Sequence, residues 1–355
     1  VWKFPWMAGQ YGGGCFVLIY ALCLVLLGLP VMTMEFSLGR AAQASPVKMY
    51  QKLQKPGQKW HIHGYLALFG NVCLMSFYTV VAGWILYYFY KFVTGQTADL
   101  GFVTMITNPG VNVTFMLIAV VLGFTVLCFN LQGGLERVTK YMMVALLVLM
   151  VVLAVNSATM SGAKEGLTFY LLPDLTKVTP NVVVGAMNQA FFTLSLGIGS
   201  MAIFGSYLGR DRSIPGEAVC ICSLDTLVAL LAGFIVIPSC FAFNVDHQTA
   251  GPGLIFKTLP NVFANMNVGR LWGTLFFLFL AFAALTTIIA VFESIVAFAM
   301  DVLGWSRQKS VIVNLIAMCV LSVPAVLGFS VWAGFQPVGA GSNFFDLEDF
   351  IVSSN

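Results

Sequence analysis

Long runs of apolar residues alternate with short polar joints along the whole chain. Most runs are long enough to cross a bilayer as a helix, for which about 20 residues are needed. Because lipid offers no partners to an open strand edge, we predict helices throughout. The predicted helices cover residues 14–40, 62–93, 111–130, 136–157, 181–208, 217–244, 267–302 and 310–331. Partial runs remain at 1–11 and 344–355, and we expect an amphipathic re-entrant segment near 252–265.

The composition identifies a polytopic membrane protein. Of the 355 residues, 59% are hydrophobic and 9% are charged, whereas a soluble domain carries about 25% charged residues. A net charge of +3 provides no basic face, so no nucleic-acid partner is expected. The eight cysteines lie in or near apolar runs without a C-x-x-C pair, and we interpret them as packing residues.

Basic residues are concentrated in every second joint. The joints of the richer set contain Arg40, Lys48, Lys52, Lys55, Lys59, Arg137, Lys140, Arg210, Arg212, Arg307 and Lys309. The other joints are longer, yet they contain only Lys91, Lys164, Lys177, Lys257 and Arg270. The richer set is therefore predicted to be cytoplasmic.

Both ends of the chain fall inside the pattern. It opens on Val1-Trp2-Lys3-Phe4-Pro5-Trp6 without a signal peptide and stops at Asn355 inside a predicted helix. We therefore expect the sequence to be a fragment that is trimmed at both ends.

Three carboxylates fall within predicted spans, where an ionised group is costly and therefore a functional candidate. Asp225 lies well inside its span, and its alternatives are ion coordination, proton handling or an interfacial helix end. Glu35 lies nearer the cytoplasmic end, where we expect it to have a structural partner. Glu293 fits a functional role or the capping of a broken helix equally well.

Residues 192–200 interrupt a predicted helix at the middle of the membrane. The segment contains two glycines and three hydroxyl residues, and each glycine lowers helix propensity by up to about 1 kcal/mol. No Lys or Arg sits in the middle of a complete span, so a substrate carboxylate would meet backbone N–H groups, a helix N-terminus or a cation. Close packing of small residues is the alternative interpretation.

Other polar residues have structural as well as functional interpretations. Thr286 and Thr287 could bond back to carbonyls of their own helix or supply oxygen ligands to a small cation. Tyr78 lies deeper than the interfacial aromatic belt. The three histidines fall outside the middles of spans, which argues against an intramembrane hydrolase. Asn112-Val113-Thr114 matches a glycosylation acceptor.

Several motifs in a fixed order resemble those of the neurotransmitter:sodium symporters. They are Trp2-Lys3-Phe4-Pro5, Gly12-Gly13-Gly14-Cys15-Phe16, Gly28-Leu29-Pro30 with Glu35 and Gly39-Arg40, Gln189-Ala190-Phe191-Phe192-Thr193-Leu194-Ser195-Leu196-Gly197, Gly251-Pro252-Gly253-Leu254-Ile255-Phe256 and Leu259-Pro260. The similarity to this family, and to its bacterial amino-acid transporters in particular, runs over essentially the whole chain.

The resemblance implies an all-α polytopic membrane fold with an inverted five-plus-five helix repeat, whose first and sixth helices are broken at the midplane. The first repeat would span residues 1–157 and the second 181–355, with an extracellular connection at 158–180. The unwound part of the first helix would precede Val1. The absence of a long outer loop after the third helix favours a prokaryotic plasma-membrane protein.

The resemblance also implies a substrate and two sodium ions between the breaks, with no organic cofactor. Thr193 and Asp225 match the first sodium site, and the Ala283 carbonyl, Thr286 and Thr287 match the second. The substrate pocket would be lined by Leu74, Tyr78, Val81, Phe192, Thr193, Ser195, Ile198, Thr287 and Val291. Because this set is apolar apart from hydroxyls and backbone, a neutral hydrophobic or aromatic amino acid fits best.

Gate residues match the family as well. Lys3 and Asp349 resemble the outer charged pair, with a lysine in place of the arginine of some relatives. Tyr207 and Asp301 resemble parts of the inner gate.

The helix predicted over 217–244, which the resemblance matches to the family's seventh helix, departs from the chloride-binding members. Tyr20 and Gln189 match two chloride ligands of the animal members, whereas the seventh helix carries Asp225. A fixed carboxylate there would supply the negative charge otherwise brought by chloride. Asp225 would occupy either the sodium-ligand position or this charge-substituting position, and chloride-independent transport is expected.

The function implied is the sodium-coupled import of an amino acid by alternating access, and not catalysis. Two alternatives belong to other classes. An intramembrane enzyme would need Asp225 or Glu293 as the base for a serine or threonine nucleophile. A receptor would bind an amino acid in a sodium-dependent way without transporting it.

Overall fold

The computed structural model describes residues 3–97, 100–128, 136–243, 254–260, 263 and 268–353, and these residues form helices without any strand. The helices are α1 (Lys3–Gln10), α2 (Gly14–Ala42), α3 (Pro46–Leu53), α4 (His61–Thr94), α5 (Phe102–Thr107), α6 (Pro109–Cys128), α7 (Glu136–Ala158), α8 (Ala163–Leu171), α9 (Pro180–Thr193), α10 (Ser200–Tyr207), α11 (Ile214–Ala242), α12 (Gly269–Leu303), α13 (Arg307–Leu327) and α14 (Phe344–Ser353). The all-helical class predicted from the apolar runs is confirmed.

Seven helices among the described residues are long and apolar enough to cross a membrane: α2, α4, α6, α7, α11, α12 and α13. Their ends lie within a few residues of the predicted bounds. The helix predicted over 181–208 is divided into α9 and α10. The short helices α3, α5 and α8 occupy joints for which no helix was predicted. Of the expected re-entrant segment, a π-helical turn over Leu254–Thr258 is described, and much of the remainder lies outside the described residues.

A π-helical turn inside α2 has a direct sequence cause. Pro30 lacks an N–H group, so it cannot supply the hydrogen bond that continues an α-helix. The chain widens at Leu24–Gly28, where the N–H of Leu29 donates to the carbonyl of Leu24. A Cβ atom on Gly28 would lie 2.7 Å from the Leu194 side chain. The absence of a side chain at Gly28 therefore allows α2 to pack closely against the segment that joins α9 to α10.

The largest buried cluster surrounds α4 and α12 and includes residues of α6, α7, α11 and α13. Its outer end is aromatic: the Trp84 ring packs against Phe102, Phe256 and Phe345, with centroids 5.2–5.6 Å apart. The Trp84 Nε1–H group donates to Asn112 Oδ1 at 2.9 Å. Asn112 is 1% exposed, so the structure does not support the glycosylation acceptor that its sequence pattern suggested.

A second buried cluster joins α1, α2, α8, α9, α10 and α11. The two clusters face each other at the segment between α9 and α10, because Phe192 and Ile198 pack against the first cluster, whereas Leu194 and Leu196 belong to the second. The non-helical segment therefore lies at the boundary between two packed groups of helices.

The two sets of basic joints lie at opposite ends of the helices. The Arg40 Nη1–H group donates to the Arg212 carbonyl at 2.6 Å, which places two joints of the richer set together. Arg270, from the poorer set, donates to the carbonyls of Phe92 and Val93 at the end of α4. This separation agrees with the alternation on which the predicted orientation rests.

The crossing of α2 and α10 yields a first prediction. A Cβ atom on Gly39 would collide with the Ala202 carbonyl, and one on Gly205 would lie 2.6 Å from the Phe36 carbonyl. A Gly39→Val substitution should therefore lower the free energy of unfolding by about 1–3 kcal/mol. Thermal unfolding in detergent, followed by a thiol-reactive dye that reports exposure of the buried cysteines, measures the effect.

A matched control for this prediction is Gly334→Ala, because a Cβ atom at that loop position meets nothing within 4 Å. Its melting temperature should remain that of the wild type. An equal melting temperature for the Gly39→Val variant would contradict the close approach of the two backbones.

Candidate functional site

The predicted interruption of the helix over 181–208 is present. α9 ends at Thr193 and α10 begins at Ser200, so residues 194–199 are non-helical. Three of these residues adopt the left-handed backbone conformation: Ser195 (φ 51°), Gly197 (φ 85°) and Gly199 (φ 74°). Glycine adopts that conformation at no steric cost, whereas a serine does so only where its surroundings impose it. The segment is thus a built turn and not a frayed helix end.

Two side chains from other helices hold this turn. The N–H group of Gly197 donates to the Glu35 Oε1 atom of α2 at 2.7 Å. The carbonyl of the next residue, Ile198, accepts from the Asn71 Nδ2 atom of α4 at 2.9 Å. Glu35 therefore has the structural partner that was expected for it. Asn71 was not singled out in the sequence, although an amide in the middle of an apolar run was a usable signal.

The residues matched to the second sodium site lie together on α12. The Ala283 carbonyl accepts from the Thr286 hydroxyl at 3.0 Å and from the Thr287 hydroxyl at 3.1 Å. These bonds are the back-bonds of the structural interpretation. They also gather three oxygen atoms at one point of the helix, so the geometry accommodates both interpretations.

A second group of oxygen atoms lies at the end of α9. Gln189 Nε2 donates to the Thr193 hydroxyl at 2.9 Å, and the Tyr20 hydroxyl lies beside Thr193 and Asp225. Gln189 Oε1 and Asp225 Oδ2 are each buried without a hydrogen bond among the described residues. Buried polar atoms are nearly always paired, so these two oxygen atoms, on α9 and α11, mark a candidate place for a ligand.

The side chains matched to the substrate pocket meet between α4, α12 and the turn. Leu74, Val81 and Val291 are at most 6% exposed and belong to the first buried cluster, and Tyr78, Phe192 and Ile198 pack against it. The Tyr78 hydroxyl interacts with Thr287. Ser195 is half-buried within the turn. The structure thus places the apolar residues in or against one buried cluster and brings two of the hydroxyls, those of Tyr78 and Thr287, together.

The residues matched to the outer gate, Lys3 and Asp349, come from α1 and α14. The Lys3 ammonium lies 4.8 Å from the centre of the Phe192 ring and interacts electrostatically with Asp349. Lys3 and Phe192 also line a cavity of about 520 Å³, together with Trp6, Gln189 and other residues of α1 and α9. The lysine therefore lies over the Phe192 ring and within electrostatic range of the Asp349 carboxylate of α14.

The inner end of the bundle contains a buried ion pair. Glu293 is fully buried in α12 and receives two hydrogen bonds from Arg307, at 2.8 and 3.1 Å. The Tyr207 hydroxyl donates to the same carboxylate at 3.0 Å. Because α12 is continuous through Glu293, the capping of a broken helix, one of the two interpretations of this residue, does not apply.

Asp301 is the second residue matched to the inner gate, and its hydrogen-bond partner is a backbone group in another joint. Asp301 Oδ2 accepts from the backbone N–H group of Ser45 at 2.5 Å and acts on Tyr207 through its charge. The sequence placed Arg307 in a joint, so its role in the ion pair was missed. A buried glutamate 14 residues before an arginine lies beyond helical pairing distance, and the geometry of the joint alone brings them together.

Comparison with known proteins agrees with this geometry. The model of the sodium:neurotransmitter symporter family matches residues 1–99 and 96–336. An uncharacterized sodium-dependent transporter of Bacillus subtilis, YhdH, is 35% identical over 100% of this chain and 79% of its own length. A counterpart in Haemophilus influenzae is 32% identical over 98% and 79%. The crystal structure of MhsT in complex with L-phenylalanine superposes on this structure with a TM-score of 0.91 and 36% sequence identity. The match covers 100% of this chain and 81% of the MhsT chain.

These relatives are transporters and not enzymes. The match in structure confirms the expected helical fold, with its inverted repeat and broken sixth helix. Spanning helices and prokaryotic relatives indicate a multi-pass protein of a prokaryotic plasma membrane, with sodium as the co-transported ion of the family. The resemblance drawn from the motifs is thereby confirmed, and this chain belongs to the sodium:neurotransmitter symporter family.

Proposed function

We propose that this protein imports a neutral, hydrophobic or aromatic amino acid together with sodium, by alternating access and without chloride. The observation that carries the proposal is the turn at residues 194–199, around which hydroxyls, a carboxylate and an apolar cluster meet at one depth. In secondary transporters the substrate binds at broken helices between two repeats, and the repeats move around this site to open it to each side in turn.

The bounds of the two repeats are part of the proposal. Residues 1–157 form the first repeat and residues 181–355 the second, with 158–180 as the extracellular connection. The break between α9 and α10 lies early in the second repeat. By the symmetry of inverted repeats, the first repeat has a corresponding break, which completes the site from the opposite side.

Two sodium ions are assigned to the two groups of oxygen atoms. Thr193 and Asp225 hold the first, and the Ala283 carbonyl, Thr286 and Thr287 hold the second. The threonine hydroxyls now donate to Ala283, but a hydroxyl rotates freely and can direct its lone pairs at a cation. The carbonyl is then a ligand beside them, as carbonyls are in other transporter sodium sites.

The pocket itself favours an uncharged side chain. Leu74, Val81, Val291, Phe192 and Ile198 present carbon atoms, so a charged substrate side chain would lose its hydration without gaining a partner. Tyr78 is assigned to the substrate carboxylate, and MhsT, the transporter of similar fold, was crystallised with L-phenylalanine. Ser195, Thr193 and Thr287 supply the remaining polar contacts.

Charge compensation follows from Asp225. Two sodium ions beside a zwitterion leave positive charge in a medium of low dielectric constant, which a nearby anion must offset. Asp225 supplies that anion from α11, and its buried Oδ2 has no competing hydrogen bond among the described residues. Tyr20 and Gln189 surround the same place. A fixed carboxylate there removes the need for chloride.

Transport proceeds by alternate closure of two gates. The outer gate is Lys3 with Asp349, closed over Phe192. The inner gate is Tyr207 with Asp301, and we add Glu293 and Arg307 because both take part in the hydrogen bonds around Tyr207. Sodium and substrate each raise the affinity for the other through linkage. With a zwitterion, each sodium ion moves one charge inward, worth roughly 2.3 kcal/mol per 100 mV.

The central prediction concerns uptake. The full-length protein in vesicles should accumulate tritiated L-phenylalanine when an inward sodium gradient is imposed, and an inside-negative potential should accelerate this uptake. Replacing external sodium by choline should abolish accumulation. Sodium-dependent binding without accumulation would indicate a receptor, and a chemically altered amino acid in the vesicles would indicate an enzyme.

The second sodium site is tested on α12. A Thr286→Ala substitution removes one oxygen ligand and should raise the sodium concentration for half-maximal uptake by about tenfold or more. Thr274→Ala is the matched control on the same helix, because the Thr274 hydroxyl is exposed and donates to the Arg270 carbonyl at 2.7 Å. If both variants require the same sodium concentration as the wild type, Thr286 is not a sodium ligand.

Chloride independence is tested at Asp225. Wild-type uptake should be equal in sodium chloride and sodium gluconate. In an Asp225→Asn variant, uptake in gluconate should fall by about tenfold or more, since the compensating charge is lost, and chloride should restore part of it. A wild type that stalls in gluconate, beside a variant that behaves identically, would show that the carboxylate does not replace chloride.

A further inference from the structure

The buried side-chain amide of Asn71 holds the backbone at Ile198, which we refer to as the floor of the substrate pocket. Asn71 lies in the middle of α4 and is 1% exposed. Its Nδ2 atom donates to the Ile198 carbonyl at 2.9 Å and approaches the Ser294 hydroxyl of α12 at 3.4 Å. One side chain thus connects α4, the turn at 194–199 and α12.

The Ile198 carbonyl depends on this contact. Ile198 lies two residues before α10 begins, so its carbonyl is outside the hydrogen-bonding pattern of a helix. In the part of the chain that the structure describes, the Asn71 amide is the donor that meets it. A carbonyl buried without a donor is strongly disfavoured, and the amide therefore fixes where this peptide group can lie.

The position of the peptide group determines the position of the side chain. Ile198 is half-buried and packs against the apolar cluster that contains Leu74, Val81 and Val291. α4 approaches it closely, because a Cβ atom on Gly70 would lie 3.9 Å from the Ile198 Cγ2 atom. Moving the Ile198 backbone would therefore change the depth of the pocket without changing any residue that lines it.

The amide works beside a second anchor on the adjacent residue. Glu35 of α2 accepts from the Gly197 N–H group at 2.7 Å, so the turn is held by an acceptor on one side and a donor on the other. With Glu35 alone, the Gly197 N–H group would remain fixed, but the Ile198 carbonyl could rotate away. The two anchors are thus complementary and not redundant.

The space around Asn71 restricts which side chains can replace it. Asn71, Leu68, Ser294 and neighbouring residues line a small cavity of about 10 Å³, so there is little free space beside the amide. A longer amide would not fit, and a shorter polar side chain would not reach the carbonyl. Asparagine satisfies both the distance and the volume.

We propose that Asn71 is a positioning residue that sets substrate selectivity, by fixing the Ile198 carbonyl and with it the floor of the pocket. The inference rests on the proposed function, since it assigns Ile198 to the substrate site. Asn71 itself does not contact the substrate. Without the Asn71 amide the Ile198 carbonyl can move, so the pocket distinguishes less sharply between substrate side chains of different size.

The test compares two amino acids in the full-length protein in vesicles. Uptake of L-phenylalanine and L-alanine is measured at saturating sodium for the wild type, Asn71→Leu, which fills a similar volume without a donor, and Asn71→Ala. In both variants the ratio of the two KM values should move toward one by about fivefold or more. The maximal rate should change less than the KM of the preferred substrate.

Ser76→Ala is the control, because Ser76 is also buried in α4 and its hydroxyl only bonds back to the Val72 carbonyl at 2.9 Å. Its KM ratio should remain that of the wild type. If the two Asn71 variants do not fold, Asn71→Ser keeps a small polar group and should show the same change in ratio.

The outcomes separate this inference from the proposed function. A wild type without sodium-dependent uptake of either amino acid contradicts the proposed function. A wild type that transports, with Asn71 variants that keep its KM ratio and lose only maximal rate or stability, overturns the selectivity role and leaves the proposed function standing.

Discussion

A helix that stops in the middle of a membrane leaves peptide groups that lipid cannot hydrogen-bond, and this constraint governs the rest of the structure. Between α9 and α10 the constraint is met from inside the protein. Glu35 accepts from Gly197, and Asn71 donates to Ile198. Helices α2 and α4 must lie close to the turn for these bonds to form, and that requirement explains the small residues where α2 crosses its neighbours. The site is thus a consequence of how the break is stabilised.

The treatment of buried charge is the second organising principle. Arg307 neutralises Glu293 in a bidentate pair. A buried carboxylate that binds no ligand requires a partner of this kind. Asp225 keeps a buried oxygen atom without a partner among the described residues. The two carboxylates therefore differ: Glu293 belongs to an ion pair, whereas Asp225 has an oxygen atom free to take the role proposed for it.

Much of the candidate site could be predicted from the sequence, because polar residues and glycines are easy to recognise within apolar membrane-spanning segments. Against a background of apolar residues, the glycines and hydroxyls near Ser195 and the pair Thr286-Thr287 stand out, and each was recognised. Asn71 stands out in the same way but carries no motif, so its partner could not be inferred. The pairing of Glu293 with Arg307 was missed because it depends on how the chain turns between α12 and α13.

The sequence by itself determined the helical class, the spans and the place of the break, since each depends on local hydropathy and on the low helix propensity of glycine. The tertiary structure decided which polar groups meet. Asn71 and Ile198 are 127 residues apart in the chain, and no local pattern encodes their distance. Such contacts arise only when packing brings whole helices together, because a buried hydrogen bond requires both partners within about 3 Å.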